Sequence, residues 1–189
     1  MQMKLPSNTA LILIDVQKGF DEESFWGKRN NLYAEENMRE LLNIWRKTKY
    51  PIFHIQHNSR NIKVPLHPSH NGNKIKNLVK PYGNEPIITK VVNSAFIGTD
   101  LEKRLKKQGI GTVVIVGLTT DHCVSTTARM AGNLGFTTYV ISDATATFER
   151  KGPTGKYYTA DEMHDLALAS LHNEFATVTT TKEILHLLT

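Results

Sequence analysis

Three residues in this sequence have the types that nucleophilic chemistry needs, and each follows an apolar run. Asp15 closes Ala-Leu-Ile-Leu-Ile-Asp15, Lys90 closes Pro-Ile-Ile-Thr-Lys90, and Cys123 ends Val-Val-Ile-Val-Gly-Leu-Thr-Thr-Asp-His-Cys123. A thiol attacks carbonyl carbon as thiolate, which a nearby Lys or a helix N-terminus favours, and a carboxylate can carry the proton. Singly, each residue has a plainer reading: a turn Asp, a solvated Lys, a packed Cys. Together they make a complete thiol, cation and carboxylate set. If a helix begins near Asp121, its free N–H groups can also hold an oxyanion.

Such a set works only if the fold brings strand ends together. Apolar runs at residues 9–14, 51–55, 86–89, 111–116, 137–141 and 176–178 lack polar alternation, as strands buried on both faces do. Between them lie helix-period segments. Met38, Leu41, Leu42 and Trp45 share one face, and Met163, Leu166, Ala167, Ser170 and Leu171 repeat the spacing. Thr99-Asp-Leu-Glu102, Thr159-Ala-Asp-Glu162 and Thr180-Thr-Lys-Glu183 fit capping boxes, and Gly109 and Gly135 stand where helices should stop. This alternation predicts a parallel α/β sheet covered by helices, whose ligands bind at the carboxyl ends of the strands. Two stretches read as loops, 58–83 and 149–158, and long loops in compact domains often line sites.

The 189 residues suit one domain, 1–189, without a repeat or a linker rich in Pro, Gly or Ser. Lys and Arg number 23 against 18 Asp and Glu, a net charge of +5. The densest basic cluster, Lys103, Arg104, Lys106 and Lys107, sits beside Glu102 on one helix and reads as a solvated face, so no nucleic-acid partner is expected. Cys123 is the single cysteine, which forbids an intramolecular disulfide and suits a reducing cytosol. No apolar run reaches membrane-spanning length, and the opening Met1-Gln-Met-Lys-Leu-Pro lacks a signal-peptide core. A cytoplasmic protein with no membrane partner is expected.

Ile14-Asp15-Val-Gln17, Lys90-Val-Val-Asn-Ser94-Ala-Phe96 and Gly117-Leu-Thr-Thr120-Asp-His-Cys123-Val124 resemble the three motif blocks of the isochorismatase-like cysteine hydrolases. The resemblance runs along essentially the whole chain. It implies a Rossmann-like three-layer sandwich with a six-stranded parallel sheet ordered 3-2-1-4-5-6, and a catalytic triad of Asp15, Lys90 and Cys123. It also implies a cis peptide between Leu118 and Thr119, an oxyanion hole made by the Thr119 and Cys123 amides, and a dimer or tetramer of the chain.

Aromatic residues beside these blocks, Phe20, Trp26 and Phe96, are candidate pocket walls with Ser94, although ordinary core packing explains them equally well. Trp45 is read as core, and His122 receives no catalytic role. Nicotinamidases of the family often hold a metal with a carboxylate-x-His pair, which Ile55-Gln-His57-Asn-Ser59 lacks. His54 and His57 should face opposite ways on an extended strand. His67 and His70 could converge with His57, but no carboxylate lies between Asn58 and Asn84, so no metal and no cofactor are expected. Isochorismate-type vinyl ether cleavage needs alkene protonation, and family members doing it can dispense with the cysteine. Retention of Cys123 favours a small-molecule amide or related C–N bond. The alternatives are a metal-dependent nicotinamidase-like amidase, a vinyl ether hydrolase, and a non-enzymatic module that binds an anionic partner.

Overall fold

Residues 4–188 are described by the computed structural model; Met1, Gln2 and Met3 of the opening stretch, and Thr189, lie outside the described residues. Eight strands are present: β1 (Ala10–Ile14), β2 (Ile52–His57), β3 (Ile87–Lys90), β4 (Thr112–Leu118), β5 (Thr137–Ala146), β6 (Arg150–Lys151), β7 (Tyr157–Tyr158) and β8 (Thr177–Thr179). Six form one parallel sheet in the order β3-β2-β1-β4-β5-β8. With β8 counted as the sixth strand, this is the 3-2-1-4-5-6 order. The short β6 and β7 pair as a hairpin within the stretch read as loop.

The uniformly apolar strands split their side chains between two cores. Ala10, Ile12 and Ile14 of β1 face one core with Val113 and Ile115 of β4. Leu11 and Leu13 face the other with Val114, Val116 and Leu118. Helix α2 (Ala34–Thr48) covers the second core with the buried stripe Met38, Leu41, Leu42 and Trp45, and α6 (Thr181–His186) joins it through Ile184. Helices α3 (Leu101–Lys107), α4 (Ser125–Asn133) and α5 (Ala160–Leu171) cover the first. The result is three layers. No helix among the described residues is long and apolar enough to cross a membrane.

Thr159 and Thr180 form the capping boxes that start α5 and α6. Thr99 does not. Asp100 takes the N-cap position of α3, and the Thr99 hydroxyl donates to the Ala95 carbonyl at 2.5 Å. The buried face of α5 is also rotated from the expected stripe. Ala160, His164, Leu168 and Leu171 point inward, whereas Leu166 is 61 % exposed. His164 is polar and so was invisible to an apolar count; its Nδ1 meets the Thr120 hydroxyl at 2.9 Å. Several strands outrun their expected ends: β2 reaches His57, β4 reaches Leu118 and β5 reaches Ala146.

At Gly117, where β4 lies against β1, there is no room for a side chain. Ile14 pairs with Gly117, whose φ is +125°. A Cβ at Gly117 would stand 2.1 Å from the Ile14 carbonyl oxygen. No side chain fits there, and L-residues avoid this backbone region. Gly117→Ala is therefore expected to cost about 3 kcal/mol or more in urea unfolding, as overpacking and backbone strain add. A loss under about 1 kcal/mol would mean that β1 and β4 can separate without penalty.

Candidate active site

Parallel register puts the ends of β1, β2, β3 and β4 side by side. Ile14 pairs with Ile55 and with Gly117, and His57 pairs with Lys90. Asp15 follows β1 with φ +49°, a left-handed conformation that Asp tolerates better than most residues. Lys90 ends β3. Cys123 lies on a single wide turn, Thr120–Val124, that leads from β4 into α4. The Leu118–Thr119 peptide just before that turn is cis.

The Lys90 ammonium is the hub. Its three N–H groups are shared among Asp15 Oδ2 at 2.6 Å, the Val92 carbonyl at 3.1 Å and Cys123 Sγ at 3.4 Å, and His57 Nδ1 lies 3.1 Å away. The Lys90 and Asp15 side chains are fully buried. With Nδ1 against this cation, the His57 ring is disfavoured from taking a second positive charge. Burial and the Lys90 charge push its pKa down to about 4. Asp15 Oδ1 has no hydrogen-bond partner and is buried. Burial raises the Asp15 pKa, with Lys90 and the Cys123 thiol pulling it back.

The thiol itself is pushed up, by burial first and the Asp15 carboxylate second, and Lys90 does not outweigh them. The sequence suggested that Lys90 and the helix start would favour thiolate. The resting site instead holds an ammonium, a carboxylate and a neutral thiol, because one cation cannot stabilise two adjacent buried anions.

Asp15, His57 and Cys123 offer potential metal-ligand atoms within 4.8 Å of one another. Lys90 Nζ bonds to all three, so an ion bound there must displace the ammonium. His67 and His70 do not join His57. His67 Nδ1 pairs with the Ser69 hydroxyl at 2.8 Å, and His70 Nε2 with the Ile62 carbonyl at 2.5 Å.

Above the thiol opens a cavity of about 200 Å³. Its apolar walls are Phe20, Trp26, Val64 and Leu66, and its polar ones are His57, Ser59, Asn93, Thr119 and His122. Phe20 and Trp26 pack with ring centroids 4.9 Å apart and planes tilted by 39°, and the Trp26 indole N–H donates to the Gly19 carbonyl at 2.8 Å.

Residues 9–183 match the family model of the isochorismatase domain. The chain belongs to the isochorismatase family. It is 53 % identical over 177 residues to an uncharacterized isochorismatase family protein, YrdC, of Bacillus subtilis, covering 94 % of each chain. It is 28 % identical to Nicotinamidase 3 of Arabidopsis thaliana, covering 88 % of this chain and 82 % of that one. A crystal structure of an isochorismatase-family protein from Chromobacterium violaceum, described as a hydrolase, superposes with a TM-score of 0.95 at 37 % identity, covering 100 % of this chain and 97 % of that one. The chain is thus an isochorismatase-family hydrolase.

In this isochorismatase-family chain, Asp15, Lys90 and Cys123 converge as their strand ends suggested, and Phe20, Trp26 and Thr119 line the cavity above them. Ser94 and Phe96 do not. The Ser94 hydroxyl accepts from the Phe96 N–H at 3.2 Å, and Phe96 stacks on Phe136 in the core. The chain turns sharply after Lys90, which leaves Asn93 rather than Ser94 at the cavity.

Sequence reasoning missed the two residues that fasten the cavity wall. The Gln17 carboxamide donates to the carbonyls of His57 (3.0 Å) and Asn73 (2.7 Å) and accepts from the His57 N–H (2.8 Å). Asn73 Nδ2 donates in turn to the carbonyls of His57 and Leu66. Gln17 lay inside a quoted motif, but no local signal pairs it with a residue 56 positions away.

Removing the hub cation gives a pH test. In Lys90→Met the Asp15 carboxyl stays buried without its partner, so its folded pKa rises further above the ordinary 3.8. A folded pKa raised this way contributes stability below the unfolded value that is lost as pH climbs through the folded value. Lys90→Met is therefore expected to fall behind the native protein only as pH climbs past the native Asp15 folded pKa, itself above the ordinary 3.8, by roughly 3–5 kcal/mol at most, with Asp15→Leu added to it recovering much of the loss. Urea melts across that range measure it; a deficit independent of pH would mean the pair is not the coupled unit described.

Proposed function

We propose that this protein is a cysteine hydrolase that cleaves a small amide or related C–N bond through a thioester on Cys123. The observation that carries the reading is the place of Lys90 Nζ, bonded at once to the carboxylate of Asp15 and the sulfur of Cys123. Asp15 takes the thiol proton as Sγ attacks the carbonyl carbon, so the thiolate forms only as it is consumed. Its free Oδ1 is the oxygen with a lone pair to spare. The amides of Thr119, just before the turn, and of Cys123, within it, receive the developing oxyanion.

Collapse of the tetrahedral adduct breaks the C–N bond, and protonated Asp15 gives its proton to the leaving nitrogen. Water then attacks the thioester while Asp15 takes a proton from it, and the acid leaves as that proton returns to sulfur. Lys90 keeps Asp15 charged and oriented between steps. No metal is required, since the ammonium already supplies positive charge where Asp15, His57 and Cys123 converge. The vinyl ether reading is weaker, because a thiol nucleophile has no part in protonating an alkene.

A screen of small amides and ureides with native protein and Cys123→Ala tests the reaction. Native turnover is expected, with Cys123→Ala at background and Asp15→Asn slowed by about 10²- to 10⁴-fold. An acyl adduct on Cys123 should be trapped when the acid is quenched early. Turnover that survives in Cys123→Ala would remove the thioester route. Turnover lost to a chelator and restored by zinc or iron would replace the metal-free reading with a metal-dependent one.

A further inference from the structure

The cavity above Cys123 is electrically neutral throughout, and this constrains what can enter it. Its walls carry no Lys, Arg, Asp or Glu. Its two histidines lie against groups already in place, His57 Nδ1 3.1 Å from Lys90 Nζ and His122 Nε2 3.6 Å from the Asp121 carboxylate. Beneath the thiol, the Lys90 charge is matched by Asp15 at 2.6 Å.

The neighbouring cations are spent in the same way. Arg150, whose Nη2 lies 3.4 Å from His122 Nδ1, gives its Nε to the Asp121 carboxylate at 2.7 Å. In the adjacent cavity that shares Phe20, Arg29 and Lys76 both bind Glu35. A substrate carboxylate would leave water without gaining a cation, which is unfavourable for a buried charge. A substrate ammonium would meet no acidic side chain in the cavity wall and would lie near Lys90, which already holds Asp15. Phe20, Trp26, Val64 and Leu66 offer apolar walls, and the Asn93 carboxamide, its Oδ1 3.9 Å from the sulfur, offers neutral hydrogen-bonding atoms.

We infer that the substrate is an uncharged amide or ureide carrying no carboxylate. This rests on the proposed hydrolase reading for the reaction, but the charge selectivity belongs to the cavity and can be measured without turnover. Cys123 is the only cysteine, so every alkylated thiol reports on this cavity.

The experiment compares iodoacetamide with iodoacetate, matched neutral and anionic alkylating agents, on the native protein at neutral pH. The ratio of their rates at Cys123, read by mass spectrometry, is expected to exceed that for free cysteine by at least about tenfold. Arg150→Gln should leave the ratio unchanged. An equal ratio, or a preference for iodoacetate that Arg150→Gln abolishes, would overturn the inference, the latter by showing that the rim supplies a working cation.

A second arm compares succinamate with 4-oxopentanamide, which replaces the carboxylate by a neutral group of similar shape. Cys123-dependent turnover should favour 4-oxopentanamide by at least about a hundredfold in kcat/KM. Preference for succinamate overturns the substrate class and leaves the thioester chemistry standing. Neutral selectivity in alkylation, with no acyl transfer to Cys123 from any amide screened, overturns the hydrolase reading while the cavity's charge selectivity stands.

Discussion

One buried cation organises this molecule. Lys90 brings an ammonium to the end of an edge strand, where no water reaches it, and an ammonium there needs partners on every side. They come from four places: Asp15 after β1, His57 at the end of β2, Val92 just beyond β3, and Cys123 in the turn after β4. Each partner is correct only if the sheet is in register to a single residue. A slip of one position in β3 would turn Lys90 to the opposite face and bury Asp15 alone. The ion pair thus specifies the alignment of the sheet as well as the chemistry at its edge, while the two apolar cores supply the stability that such a pair does not.

The surroundings of Cys123 follow the same logic on the other side. The turn that carries it is tied down twice: Thr120 by His164 of α5, and Asp121 by Arg150 and Thr147. Arg150 belongs to the short β6–β7 hairpin, so a segment that reads as loop holds the nucleophile's turn in place. Gln17 and Asn73 perform the matching task for the long connection after β2. Side chains that never reach the cavity fix the backbone that forms it, which makes the cavity small and largely pre-formed.

The convergence of Asp15, Lys90 and Cys123 was legible only through the resemblance that implied the strand order, while the strands, and these three as polar residues at or after their ends, were legible from local pattern. The capping boxes at Thr159 and Thr180 were legible for the same reason. What escaped was long-range or polar. His164 faces inward for a hydrogen bond, so counting apolar residues rotated α5 onto the wrong face. His57 lies beside Lys90 only because β2 and β3 pair in that register, which neither strand announces. Ser94 and Phe96 were adjacent in sequence to Lys90, but the chain turns at Asn93 and sends them to a tight turn and the core.

The charge state of the thiol was also out of reach of the sequence, and it alters how the site must work. A Cys beside a Lys suggests a standing thiolate, yet that Lys is already committed to a carboxylate 2.6 Å away. With one cation between two acids, the stronger acid takes the negative charge and the thiol keeps its proton. The site is therefore neutral overall while it waits. In the proposed reaction the proton moves from sulfur to Asp15 only as the carbonyl carbon accepts the electron pair, and the negative charge passes to an oxygen facing backbone N–H groups. The ammonium need not move, since it touches both the group that loses the proton and the group that receives it. A buried Lys–Asp pair that would be a dubious source of stability elsewhere here keeps total charge constant from resting thiol to tetrahedral adduct.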